Sequence, residues 1–96
     1  MSEQANIRVL HVDDEPDFAE LTANFLKRED DRFTVEVATS ATKGLEYLSQ
    51  QNFDCIVSDY DMPGQNGIEF LKSVRKNAHN LPFVLFTGKG SEEIAS

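Results

Sequence analysis

The chain has one cysteine, Cys55, so no disulfide can form within it. Its place inside an apolar run makes it a small buried side chain, not a reactive thiol. No apolar stretch approaches the ~18 to 20 residues needed to span a bilayer, and the first residues lack the apolar core of a secretion signal. The expected location is the cytoplasm, with no membrane contact. Basic residues are scarce: 9 Lys plus Arg stand against 17 Asp plus Glu, for a formal charge of −8. That balance repels phosphate backbones, which excludes nucleic-acid binding by this segment and favours a partner with a basic surface. Repeats, linkers and low-complexity segments are also missing. Ninety-six residues, 40% of them hydrophobic, make a single globular domain spanning 1–96.

What is present is an alternation of two hydrophobic periods. Ile7 to Val12 is mostly apolar and reads as a buried strand, followed at once by Asp13, Asp14 and Glu15. Pro16 suits the first turn of a helix, where its missing N–H costs nothing. Phe18, Leu21, Phe25 and Leu26 then mark one helical face through about Arg28. The acidic run 29–31 reads as a solvated turn. Phe33 to Ala38 alternates, as an outer strand does, and Ser40 is placed to cap the helix bearing Ala41, Leu45 and Leu48. Phe53 to Val57 predicts a third strand, buried on both faces. After Gly67, the residues Ile68, Leu71, Val74 and Ala78 fall on one helical face. Phe83 to Phe86 is a fourth apolar strand, Thr87 stands at its end, and Ser91-Glu92-Glu93 has the pattern of a helix start.

Strands alternating with helices through short loops predict an α/β fold with a parallel sheet. The doubly wound, flavodoxin-like order puts the first strand between the second and third, giving 2-1-3-4, with a crevice between strands one and three. Asp13 and Asp14 reach that crevice from one side, Asp59 and Asp61 from the other, and Thr87 from the neighbouring strand end. Carboxylates crowded there repel one another, and a divalent cation relieves the repulsion. Magnesium takes oxygen ligands, commonly one or two carboxylates with waters and a substrate phosphate. An aspartate so placed can also attack phosphorus once the donor's charge is neutralised.

The same residues carry a family resemblance. The acidic pair after strand one (VDDEP), the aspartate ending strand three with Met-Pro-Gly and a further glycine behind it (SDYDMPGQNG), and the hydroxyl ending strand four (LFTG) together resemble the response-regulator receiver domain. The resemblance implies that Asp59 is the phospho-acceptor, loaded from a phosphohistidine on a sensor histidine kinase or phosphotransfer protein. It further implies that Asp14 and Asp59 bind Mg2+ through their carboxylates, Asp13 mainly through a water, and Asp61 through its backbone carbonyl. Thr87 would bond a phosphoryl oxygen. Tyr60 has no role in the motif and is read as structural.

Receiver domains also carry a fifth strand ending in a lysine, an aromatic switch residue on it, and a closing helix. The 96 residues contain no match to these, so the domain is expected to be C-terminally incomplete. Lys89, two residues past Thr87, is not that lysine and reads as a solvated loop residue. The strand-four edge is then expected to support self-association. Two alternatives stand beside the receiver reading. Asp59-x-Asp61 also resembles the nucleophile and acid/base pair of haloacid-dehalogenase-like phosphatases, which would turn over many equivalents of a phosphate ester. A receiver-fold interaction module that is never phosphorylated is the other. His11 reads as a packed, hydrogen-bonded strand histidine and His79 as a solvated one, neither with a second ligand at metal-binding spacing.

Overall fold

The computed structural model describes residues 6–77 and 79–86. Its elements run β1 (Ile7–Val12), α1 (Pro16–Glu29), β2 (Phe33–Ala38), α2 (Ala41–Gln50), β3 (Cys55–Asp59), α3 (Gly67–Lys76) and β4 (Phe83–Phe86). All pairings are parallel, in the order β2-β1-β3-β4, as the alternation and the doubly wound rule predict. β1 meets β2 from Ile7 against Phe33 to Val12 against Ala38, and meets β3 from Val9 against Cys55 to Val12 against Ser58. This register brings the C-terminal ends of β1 and β3 side by side.

Successive strand residues face opposite sides of the sheet, so β1 divides its apolar residues between two layers. Leu10 and Val12 join Ile56, Ala41, Leu48, Phe70 and Val74 in the main core under α2 and α3, with the Phe83 ring tilted against that of Phe70, centroids 5.7 Å apart. On the other side, α1 packs over β1 and β2. Its buried residues are Ala19 and Ala23. This corrects the expected face: Leu21 and Phe25 are 65% and 58% exposed, because the small alanines let the helix lie close to the sheet and turn the bulky stripe to its flank.

α3 shows the same kind of shift. It buries Gly67, Phe70 and Val74, while Ile68 is exposed and Leu71 only half-buried. The helix start is capped from both sides. Asn66 accepts the Glu69 N–H through its side chain and donates its own N–H to the Glu69 carboxylate, each at 2.9 Å, a reciprocal cap. Ser40 caps α2 as expected, accepting the Lys43 N–H at 3.1 Å, and Pro16 opens α1. Ala78 and the expected helix start at Ser91 lie outside the described residues.

Two expectations for the third strand also change. β3 begins at Cys55, and Phe53 packs ahead of it in the core beneath the Arg8 guanidinium, 5.2 Å from the ring centre. Cys55 and Val57 are half-buried, since α1 sits over the other half of the sheet; burial still pushes the Cys55 thiol up. In the 30–32 turn, the Arg32 guanidinium reaches the Asp30 carboxylate at 2.6 Å and holds it down at about 2. His79 is half-buried, its carbonyl accepting from Arg75 at 2.9 Å.

Candidate functional site

The site is built where β1 and β3 run out. Asp13 extends β1 by one rung, its N–H donating to Ala38 O at the end of β2 (3.0 Å). Its side chain then turns back to accept the Glu15 N–H at 2.9 Å, which ties the loop ahead of α1. Asp59 is the last residue of β3, opposite Phe86 of β4. The loop behind it is held at three points. Tyr60 N–H donates to Phe86 O (2.8 Å), Gly67 N–H donates to Tyr60 O (2.8 Å), and Asp61 N–H donates to the Asp59 carboxylate (3.3 Å). Gly64, in the turn after Pro63, adopts φ +83°, a conformation that favours glycine.

These strand ends bring Asp13, Asp14 and Asp59 together. One carboxylate oxygen from each lies within 4.8 Å of the others; Asp13 and Asp59 are fully buried and Asp14 half-buried. Side-by-side buried carboxylates require positive charge or hydrogen-bond donors among them. The donor set is oxygen only, which suits a hard cation. Two ligands on one Mg2+ can be at most ~4.2 Å apart, so the cluster needs only small side-chain adjustments to hold one. Asp61 is exposed and its carboxylate lies outside the trio; the role implied for it uses the backbone carbonyl. Thr87 and Lys89 lie outside the described residues.

The family model for the response regulator receiver domain matches residues 9–96. The chain belongs to that family. It is 37% identical over 86 residues to response regulator Rre1 of Synechocystis, covering 88% of this chain and 37% of that protein. The chain thus spans about a third of the length of that relative. Among solved structures, the receiver resembles chemotaxis protein CheY4 of Vibrio cholerae, with TM-score 0.80, 30% identity, and 95% of this chain covering 76% of that one. Response regulator TrrA of Thermotoga maritima, in complex with Mg2+-BeF, gives TM-score 0.79 at 28% identity, with 92% and 75% covered. TrrA in complex with histidine kinase ThkA gives TM-score 0.76 at 30% identity, with 85% and 69% covered. Among the described residues of this receiver, no helix is long and apolar enough to cross a membrane.

Sequence reasoning placed the acids at the correct strand ends but missed what lies beneath them. His11 is fully buried, two residues before Asp13 and therefore on the same face of β1. The only sequence signal was that spacing. Its Nδ1 lies 3.1 Å from Val57 O, as expected of a hydrogen-bonded strand histidine, and burial pushes its pKa down.

Proposed function

We propose that this receiver domain accepts a phosphoryl group on Asp59 from a phosphohistidine of a sensor kinase or phosphotransfer protein, with Mg2+ in the acidic cluster. The observation that carries the reading is the convergence of Asp13, Asp14 and Asp59 at the ends of two adjacent parallel strands. An Asp59 carboxylate oxygen forms the new P–O bond while the P–N bond to histidine breaks and the departing imidazole nitrogen takes a proton. Bound Mg2+ would supply charge neutralisation for the phosphoryl oxygens. Asp14 and Asp59 would hold it through their carboxylates, Asp13 through a water and Asp61 through its carbonyl. Asp59 is fully buried, and the Asp61 N–H orients one of its oxygens. Thr87 is assigned the contact to a phosphoryl oxygen.

The solved complexes of TrrA with Mg2+-BeF and with a histidine kinase support both the metal and the partner. Turnover of many phosphate esters is not expected, because the family match runs from residue 9 through both aspartates of the phosphatase-like pair. The expected compartment is the cytoplasm. Titration with Mg2+ followed by NMR tests the site. The amides of Asp13, Asp14, Asp59 and Asp61 should move together, with half-saturation in roughly the millimolar range or below. Shifts confined to residues away from the β1 and β3 ends would show the metal elsewhere.

A second copy of the chain is the other proposed partner. β4 is the outermost strand among the described residues and its Val84 is 53% exposed, an edge of the kind that recruits another strand. Light scattering should give a mass that rises with protein concentration, and Val84→Lys should suppress the rise. A constant monomer mass throughout would remove this partner.

A further inference from the structure

Phe86 flanks Asp59 in the register of β3 and β4, while His11 pairs with Val57 in the register of β1 and β3, two residues below Asp59. Residues two apart on a strand share a face, so His11, Val57, Asp59 and Phe86 all look toward α1. The His11 and Phe86 rings meet across β3, stacked with centroids 5.7 Å apart and planes 21° apart. Phe18 of α1 closes on Phe86 from the helix side at 6.2 Å. Asp59 therefore stands beside Phe86, and Asp13 one rung above His11, against an aromatic shelf made from three elements.

His11 is not the residue that packing alone would select. Its Nε2 is buried with no hydrogen-bond partner among the described residues, a cost that leucine or phenylalanine in the same space would not carry. What the imidazole adds is the bond to Val57 O, with Nδ1–H as donor, which fixes the rotation of the ring and hence the plane on which Phe86 lies. The Phe86 carbonyl in turn accepts the Tyr60 N–H and so anchors the start of the loop that follows Asp59.

We propose that His11 is a positioning residue for the phospho-acceptor, holding Phe86 and through it the Tyr60 backbone so that Asp59 is presented to the phosphoryl donor. It touches neither metal nor phosphoryl group. The proposal rests on the phospho-acceptor reading of Asp59 and adds a residue on which the rate of that reaction depends.

The test compares three variants in Mg2+ and acetyl phosphate, with thermal melts confirming that each is folded at the assay temperature. His11→Leu fills the space without ring or tether, His11→Asn keeps a donor near the Nδ1 position without the ring, and His11→Phe keeps the ring alone. The maximal phosphorylation rate should fall roughly tenfold in His11→Leu, since a small misplacement of a reacting group is enough for that. Mg2+ half-saturation should be unchanged. His11→Phe and His11→Asn should each recover only part of it, because a ring without its tether and a donor without its ring both leave the Phe86 plane unset. A purely structural histidine predicts the reverse, with apolar His11→Leu at the wild-type rate, and that result would overturn the proposal.

A second measurement does not depend on the chemistry. On Mg2+ addition, the Tyr60 amide shift should be attenuated in His11→Leu while that of Asp14 persists; equal responses in both proteins would overturn the positioning role. If wild-type protein takes no phosphoryl group, the phospho-acceptor reading fails, and the Tyr60 response alone decides what His11 does.

Discussion

Asp59→Asn protein incubated with acetyl phosphate and Mg2+ should show no phosphoryl adduct by intact mass, a loss of at least roughly a thousandfold in labelling rate. The substitution keeps the shape of the side chain and leaves an oxygen to accept the Asp61 N–H, so the loop behind β3 has no reason to rearrange. What disappears is the anionic oxygen that would form the P–O bond. It also removes one negative charge from a trio whose oxygens lie within 4.8 Å of one another. Without Mg2+ the variant should therefore melt no lower than wild type. With Mg2+ the ordering should reverse, because a ligand stabilises in proportion to its affinity for the folded state and the variant has lost a carboxylate ligand. Loss of labelling with retained melting separates chemistry from folding. A single adduct persisting on Asp59→Asn would place the acceptor on another residue.

Gly67→Ala should be the most damaging of the alanine substitutions at Gly44, Gly64 and Gly67. A Cβ built there lies 2.4 Å from Leu85 Cδ1, 2.7 Å from Asp59 O and 2.9 Å from Tyr60 Cα. The leucine methyl can rotate away, but the two backbone atoms cannot move without disturbing the end of β3 and the Gly67 N–H bond to Tyr60 O. Overpacking of this kind costs about 3 kcal/mol, a large part of the ~5 to 10 expected for a domain this small. The melting midpoint should fall by roughly 10 °C or more. Residual folded protein should show weakened Mg2+ shifts at Asp59. Gly64→Ala is the internal comparison. Nothing lies within 4 Å of its added Cβ, so only the strain of φ +83° is incurred, about 1 kcal/mol. Equal melting losses in the two variants would show that contact with β3 is not what requires glycine at 67.

The order of elements, the strand arrangement and the ends at which the acids stand are all legible in the chain. Each follows from local signals: apolar runs for β1 and β4, Pro16 and Ser40 at helix starts, and acids placed directly after Val12 and Ser58. Parallel crossover rules then leave few ways to arrange four strands. How each helix is rotated about its axis depends instead on packing against the sheet. Leu21 and Phe25 on α1, and Ile68 on α3, belong to apolar stripes that are legible in sequence, yet they face outward. Periodicity finds a stripe, but close approach to the sheet selects the neighbouring one that carries Ala19 and Ala23, or Gly67 and Phe70. The site divides in the same way. Asp13, Asp14 and Asp59 were legible because strand ends locate them, whereas their convergence depends on the β1–β3 register, set by pairing between segments more than forty residues apart. The His11–Phe86 stack against which they stand was not legible at all. It joins residues 75 positions apart across an intervening strand, and side-chain contacts at that separation leave no periodic trace in the chain.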